Sequence, residues 1–145
     1  MPDPIRLLLV EDNPADVFLM EAALEMSGVP VQLSVARDGQ EALDWLEGAH
    51  GGPKFPDLTL LDLNMPRVNG FEFLSRVRAD ERFSHLPTIV FTTSNDPADV
   101  KRAYALQANS YVSKPASLDE FMLVIERLAA YWFGSASIPS SYRPG

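Results

Sequence analysis

Four places in this 145-residue chain carry side chains able to act together. Glu11-Asp12 directly follows the apolar run Ile5 to Val10, and Asp62 interrupts a second apolar run, Leu58 to Leu63. Thr92-Thr93-Ser94 follows Thr88 to Phe91, and Lys114-Pro115 lies just beyond Tyr111-Val112. Three carboxylates packed together repel and raise one another's pKa unless a cation joins them. The chain has no Cys, and His50 and His85 are isolated in or beside loops. Oxygen ligands alone favour a hard cation, Mg2+ or Mn2+ in preference to Zn2+. Lys114 supplies a second positive charge, and Thr92 a hydroxyl donor. A cation, an ammonium and N–H donors around a carboxylate stabilise the oxygens of a phosphoryl group in transfer. Carboxylates can act as the nucleophile, forming an aspartyl-phosphate. Asp62 is the best-placed acceptor, because it stands alone at the end of a central strand.

The elements that must position these residues read as alternating strands and helices. Ile5 to Val10 is a continuous Leu/Val run, the mark of a strand buried on both faces. Asn13-Pro14 then supplies an N-cap and an N1 proline, and Val17, Met20, Ala23 and Leu24 recur at helical spacing until Gly28. Val31 to Ala36 is the second strand, and Asp38 with Glu41 opens the second helix like a capping box. The loop Gly48 to Pro56 is turn-rich and expected to be solvated. Leu58 to Asp62 is the third strand, followed by a helix over Phe71 to Ala79. Thr88 to Phe91 is the fourth, and Asp96-Pro97 opens a helix with Val100, Ala103, Tyr104 and Leu106 on its inner side. Tyr111-Val112 is the fifth strand. Ser117 to Glu120 is an S-x-x-E capping box ahead of an apolar stripe of Leu118, Phe121, Met122, Ile125, Leu128 and Trp132.

This pattern predicts an α/β fold of the flavodoxin-like (βα)5 kind, a parallel five-stranded sheet of order 2-1-3-4-5 flanked by helices. In such sheets the ligand site lies beyond the carboxyl ends of the strands, at the switch point between strands 1 and 3. Glu11-Asp12 and Asp62 fall at that point.

Composition narrows the classes. A net charge of −8 and no Lys/Arg cluster argue against a nucleic-acid partner. No apolar run is long enough to cross a bilayer, and the N-terminus does not resemble a signal peptide. Without Cys there is no disulfide framework, and a cytoplasmic location is expected.

The motifs LLLVEDN, LLDLNMPRVNG, TIVFTTS and YVSKP, in this order and spacing, resemble the receiver domain of two-component response regulators over roughly residues 5 to 132. The blocks AYALQANSYVSKP and YWFG followed by IP are similar to stand-alone receivers paired with phytochrome-type histidine kinases. The resemblance implies a single-domain regulator that takes a phosphoryl group from a sensor histidine kinase on Asp62 and signals through altered protein interactions. It would catalyse only its own phosphorylation and dephosphorylation. Asp12 matches the direct metal ligand, Glu11 the ligand acting through water, and Asn64 the one lending its backbone carbonyl. Lys114 matches the phosphate-pairing lysine, with a cis peptide to Pro115 implied. Thr92 and Tyr111 match a switch pair in which the hydroxyl moves to the phosphate and the ring turns inward. Pro66 and Gly70 shape the loop that leaves Asp62 exposed. Ala116 departs from the Phe that many relatives carry there.

The receiver is expected over residues 1–132, with 133–145 as a C-terminal extension. Tyr131, Trp132, Phe133, Ile138 and Tyr142 exceed what a completed five-strand domain needs. They point to a homodimer interface, with a downstream protein or phosphotransfer partner for output. The rival readings lose on specific residues. An aspartyl-phosphate phosphatase wants a general acid two residues after the nucleophile, where Asn64 stands. A flavin or nucleotide module wants a Gly-rich first loop, where NPAD stands. A receiver that binds partners without phosphorylation has no missing part to motivate it.

Overall fold

Apolar runs and caps divide the chain where helix and strand chemistry require. In the computed structural model, which describes residues 4–139, the strands are β1 (Ile5–Val10), β2 (Val31–Ala36), β3 (Leu58–Leu61), β4 (Thr88–Thr92) and β5 (Ser110–Ser113). The helices between and after them are α1 (Pro14–Ser27), α2 (Gly39–Ala49), α3 (Gly70–Ala79), α4 (Pro97–Ala105) and α5 (Leu118–Ala129), the last running into a π-helical turn, Ala130–Ser135. All strands are parallel, in the order β2-β1-β3-β4-β5.

Alternate strand residues feed two cores. Leu8, Val10, Leu61 and Val90 face Ala42 and Leu46 of α2, Phe73, Leu74 and Val77 of α3 and Ala103 of α4. Leu7, Leu9, Leu60, Ile89 and Phe91 face Met20 and Leu24 of α1 and Phe121 and Ile125 of α5. Each fully buried Leu or Phe contributes about 1.5–3 kcal/mol relative to exposure, so both faces must be covered and the helices are pinned to the sheet.

Caps set where each helix starts. Asn13 Oδ1 accepts from Ala15 N at 2.9 Å, Asp38 Oδ1 from Glu41 N at 2.8 Å, and Ser117 Oγ from Glu120 N at 3.1 Å. Asn69 and Glu72 form a reciprocal capping box at α3, which the sequence reading did not single out. Gly28, at φ 74°, closes α1 in the left-handed conformation that glycine adopts without a Cβ penalty.

Several expectations are corrected. β3 ends at Leu61, one residue before Asp62, although Asp62 N still donates to Val10 O at 3.0 Å. The Gly48 to Pro56 segment is not a solvated loop throughout: α2 runs through Ala49, and Phe55 and Pro56 are buried, with Phe55 stacked on Phe83. A lone aromatic in a turn-rich stretch gives no periodicity, so its core role is visible only once Phe83 is beside it. Tyr104 and Leu118 are exposed, 50% and 57%. On α4 only Ala103 is buried, and Arg102 spreads over the Phe71 ring at 4.1 Å. Leu118, the first residue of α5, lies before the turn that meets the sheet. No peptide bond among the described residues is cis, so Lys114–Pro115 is trans, the intrinsically preferred isomer. Within the extension, Tyr142 lies outside the described residues.

Beneath the sheet's other end, Arg6 and Asp57 form a buried ion pair at 2.9 Å, with Arg6 Nη1 also donating to Pro53 O at 2.9 Å. It ties β1 to the approach to β3, the two strands that carry the acidic residues at their opposite ends.

Candidate functional site

Parallel register delivers the acids together. Val10 pairs with Leu61, so the residues that follow, Glu11-Asp12 and Asp62, leave neighbouring strands at the same edge. Glu11 and Asp62 are buried and Asp12 is exposed, so the expectation that the loop leaves Asp62 exposed is corrected: its carboxylate is at the strand edge but largely covered. One carboxylate oxygen from each of the three lies within 4.8 Å of the others. Glu11 also accepts from Asn13 N at 3.1 Å, which fixes its orientation as the chain turns into α1.

Lys114 closes the opposite side. Its backbone N donates to Thr92 O at 2.6 Å, extending the β4–β5 pairing by one step. Its side chain is 6% exposed, and the ammonium donates to Glu11 Oε1 and, at 2.9 Å, to Asp16 Oδ2. Asp62 Oδ2 is 3.8 Å away, within ion-pair range and beyond a hydrogen bond. Burial pushes the Glu11 carboxyl up, Lys114 pulls it back and the neighbouring Asp62 charge pushes it further, to about 7. Burial alone would lower the Lys114 pKa; its bonds to Asp16 and Glu11 and the Asp62 charge outweigh that and raise it.

Thr92 is buried at the end of β4, and its Oγ1 accepts from Ser94 N at 3.5 Å. Tyr111 is half-buried, packed against the core, and its hydroxyl donates to Ser94 O at 2.9 Å. The ring therefore already leans on the β4–α4 loop. Ser94 Oγ donates to Asp99 Oδ2 at 2.6 Å, which anchors that loop to the first turn of α4.

The loop after Asp62 is held as firmly. Gly70 N donates to Leu63 O at 3.0 Å, and a Cβ there would sit 2.4 Å from Asp62 O and 2.7 Å from Leu63 Cα. Gly70 is thus required by close backbone approach. Arg67 has φ 63°, unusual for a residue with a Cβ, and its guanidinium makes two bonds to Asp38 at 2.8 and 3.1 Å. Asn64, Pro66 and Arg67 are exposed on this loop.

The structure thus brings Glu11, Asp12, Asp62 and Lys114 to one edge, with Thr92 and Tyr111 at the neighbouring strand ends. The residues present fit a hard divalent cation. Their donors are all carboxylate oxygens, gathered within 4.8 Å of one another, and burial first and the Asp62 charge second push the Glu11 carboxyl up.

The chain matches the family described as response regulator receiver domain over residues 7–126. The chain belongs to the response regulator receiver family. Among its relatives, the receiver is 41% identical to the probable methanogenesis regulatory protein FilR2 of Methanothrix harundinacea, over 91% of this chain and 86% of that protein. It is 31% identical to response regulator Rcp1 of Synechocystis, over 95% of each. The solved structure of the phosphorylated cyanobacterial phytochrome response regulator RcpA superimposes with a TM-score of 0.89 at 35% identity, over 95% of this chain and 100% of that one. The Mn2+-bound form of Rcp1 gives 0.87 at 31%, over 94% and 100%. Receiver domains are in general signalling phosphoacceptors that interact with sensor histidine kinases and bind divalent metal ions. No helix among the described residues of this receiver is long and apolar enough to cross a membrane.

Three site-edge contacts escaped the sequence reading: Asp16 on Lys114, Ser94 on Asp99 and Arg67 on Asp38. Asp16 carried the one usable signal, an acid in the first turn of α1, but an acid there is also ordinary helix-dipole chemistry.

Proposed function

We propose that Asp62 is the phosphoacceptor of this receiver, taking its phosphoryl group from a phosphohistidine on a sensor histidine kinase. What carries the reading is a buried carboxylate with two acids on one side and a buried ammonium 3.8 Å away. An Asp62 oxygen attacks phosphorus, the P–N bond breaks, and its electron pair stays on the imidazole. Glu11, Asp12, Asp62 and the Asn64 carbonyl would hold Mg2+, or Mn2+, which supplies positive charge to the phosphoryl oxygens when bound. Lys114 pairs with one of those oxygens, and the Thr92 hydroxyl moves to another. Tyr111 follows inward, giving up its bond to Ser94 O and changing the surface that partners read. Water later attacks phosphorus and releases inorganic phosphate, which restores the Asp62 carboxylate. The domain catalyses these two steps on itself and no reaction on other substrates.

The likeness to the cyanobacterial phytochrome response regulator RcpA supports a phytochrome-type kinase as the donor, and the cytoplasm is the proposed place of exchange. Incubation with Mg2+ and acetyl phosphate is expected to add one phosphoryl group by intact mass, on Asp62 alone, and none to Asp62→Asn. Equal modification of both proteins, or none of the wild type, would remove the assignment.

A homodimer is the proposed assembly. Tyr131 is 57% and Leu123 42% exposed, beside a groove of about 540 Å³ lined by Val112, Val124, Leu128 and Trp132. Light scattering is expected to give twice the chain mass; a monomer at high micromolar concentration would overturn it.

A further inference from the structure

The ammonium of Lys114 has three protons to give and, in this structure, spends two of them away from Asp62. One goes to Glu11 and one to Asp16 Oδ2 at 2.9 Å, while Asp62 is left at 3.8 Å. Asp16 reaches across 98 positions of sequence, from the first turn of α1 to the segment after β5. Its place there is favourable without Lys114, since the helix N-terminus stabilises a carboxylate. Its side chain is 24% exposed against 6% for Lys114, so water can solvate Asp16 if the ammonium leaves. Glu11, by contrast, is one of the acids assigned to the cation. With a cation bound there, Glu11 would hold Lys114 less tightly, and Asp16 would remain the main competitor for the ammonium.

We infer that Asp16 is a positioning residue that parks Lys114 away from the acceptor, and so sets how tightly this receiver holds a phosphoryl group. The inference rests on the proposed role of Asp62. Phosphorylation places about −1.5 to −2 charges and three acceptor oxygens at Asp62. Lys114 must then exchange its Asp16 bond for one to the phosphoryl group. Each such exchange costs the parked bond, so Asp16 lowers phosphoryl retention and leaves the ammonium in place when the group departs. Asp16 touches neither the phosphoryl group nor the acceptor, and acts through Lys114 alone.

Asp16→Asn keeps the shape and one acceptor oxygen but removes the charge. Beryllofluoride, a phosphoryl mimic, should bind it about fivefold more tightly than wild type, as expected for weakening a partly exposed charge-assisted bond. Phosphorylation by acetyl phosphate should quicken in the same direction, since an ammonium released from Asp16 is free to stabilise the group in transfer. Asp16→Glu, which restores the charge, should return both values toward wild type. A merely structural lesion would weaken binding and lower the melting temperature instead. Unchanged or weaker beryllofluoride binding in Asp16→Asn, with wild type still modified at Asp62, would overturn the inference alone. Beryllofluoride binding equally to wild type and Asp62→Asn would remove the acceptor assignment, and this inference with it.

Discussion

Lys114→Met is expected to lower the rate of Asp62 phosphorylation by acetyl phosphate roughly 100-fold, the scale found when one preorganised charge stabiliser is removed from a transfer site. Met retains the unbranched apolar stem, so the packing along Phe91 survives while the ammonium, 5.8 Å from that ring, is lost. The same substitution should tighten Mg2+ binding, by about tenfold, because Glu11 and Asp62 lose the ammonium that offsets their repulsion in a buried site. These two changes have opposite sign, and that separates an electrostatic role from a folding defect, which would weaken both. Intact mass against time gives the rate, and isothermal titration calorimetry the metal affinity. Wild-type phosphorylation in Lys114→Met would mean that the ammonium serves only to neutralise Glu11 and Asp16.

Gly70→Ala should destabilise the domain by about 3 kcal/mol, the upper part of the range for overpacking. A methyl group 2.4 Å from Asp62 O and 2.7 Å from Leu63 Cα meets backbone, which cannot rotate away as a side chain would. The strain must be relieved by moving either α3 or the Asp62–Leu63 segment. α3 is locked by Phe73, Leu74 and Val77 in the core and by the Asn69–Glu72 cap. The shift therefore falls on Asp62, so slower phosphorylation is expected together with the lower stability. Urea denaturation measures the first effect and acetyl phosphate labelling the second. Wild-type stability would show that the β3–α3 turn yields more easily than its contacts imply.

Much of the fold was legible because its signals are local. β1 and β2 run between the expected residues: β1 is a mainly apolar run ended by acids, and β2 stops just before the capped start of α2. The starts of α1, α2 and α5 fall at Asn13, Asp38 and Ser117, where a side-chain oxygen must satisfy the first free N–H groups. Strand order followed from chirality and short connections. Phe55, Tyr104 and Leu118 were misplaced because their burial depends on neighbours far along the chain. A single apolar residue in a loop, or at the first or last turn of a helix, carries no periodicity to read.

The site divides in the same way. The kinds of residue at each strand end, three carboxylates, a threonine and a lysine, follow from the sequence, and with them a hard cation and a phosphoryl group as the fitting chemistry. Parallel pairing then requires the ends of β1 and β3 to meet, so the closeness of Glu11, Asp12 and Asp62 could be anticipated from topology. Which acid holds Lys114 could not. That depends on where a flexible side chain of four methylenes comes to rest among Glu11, Asp16 and Asp62, and distances of 2.9 and 3.8 Å separate a hydrogen-bonded partner from a waiting one. Tyr111 is the same case: its ring packs on the core, and its hydroxyl is bound to Ser94 O across β4 and β5. Backbone periodicity and capping act over a few residues, and the sequence alone determines them. Ion pairs and close backbone approaches join positions tens of residues apart, and only the tertiary structure decides them.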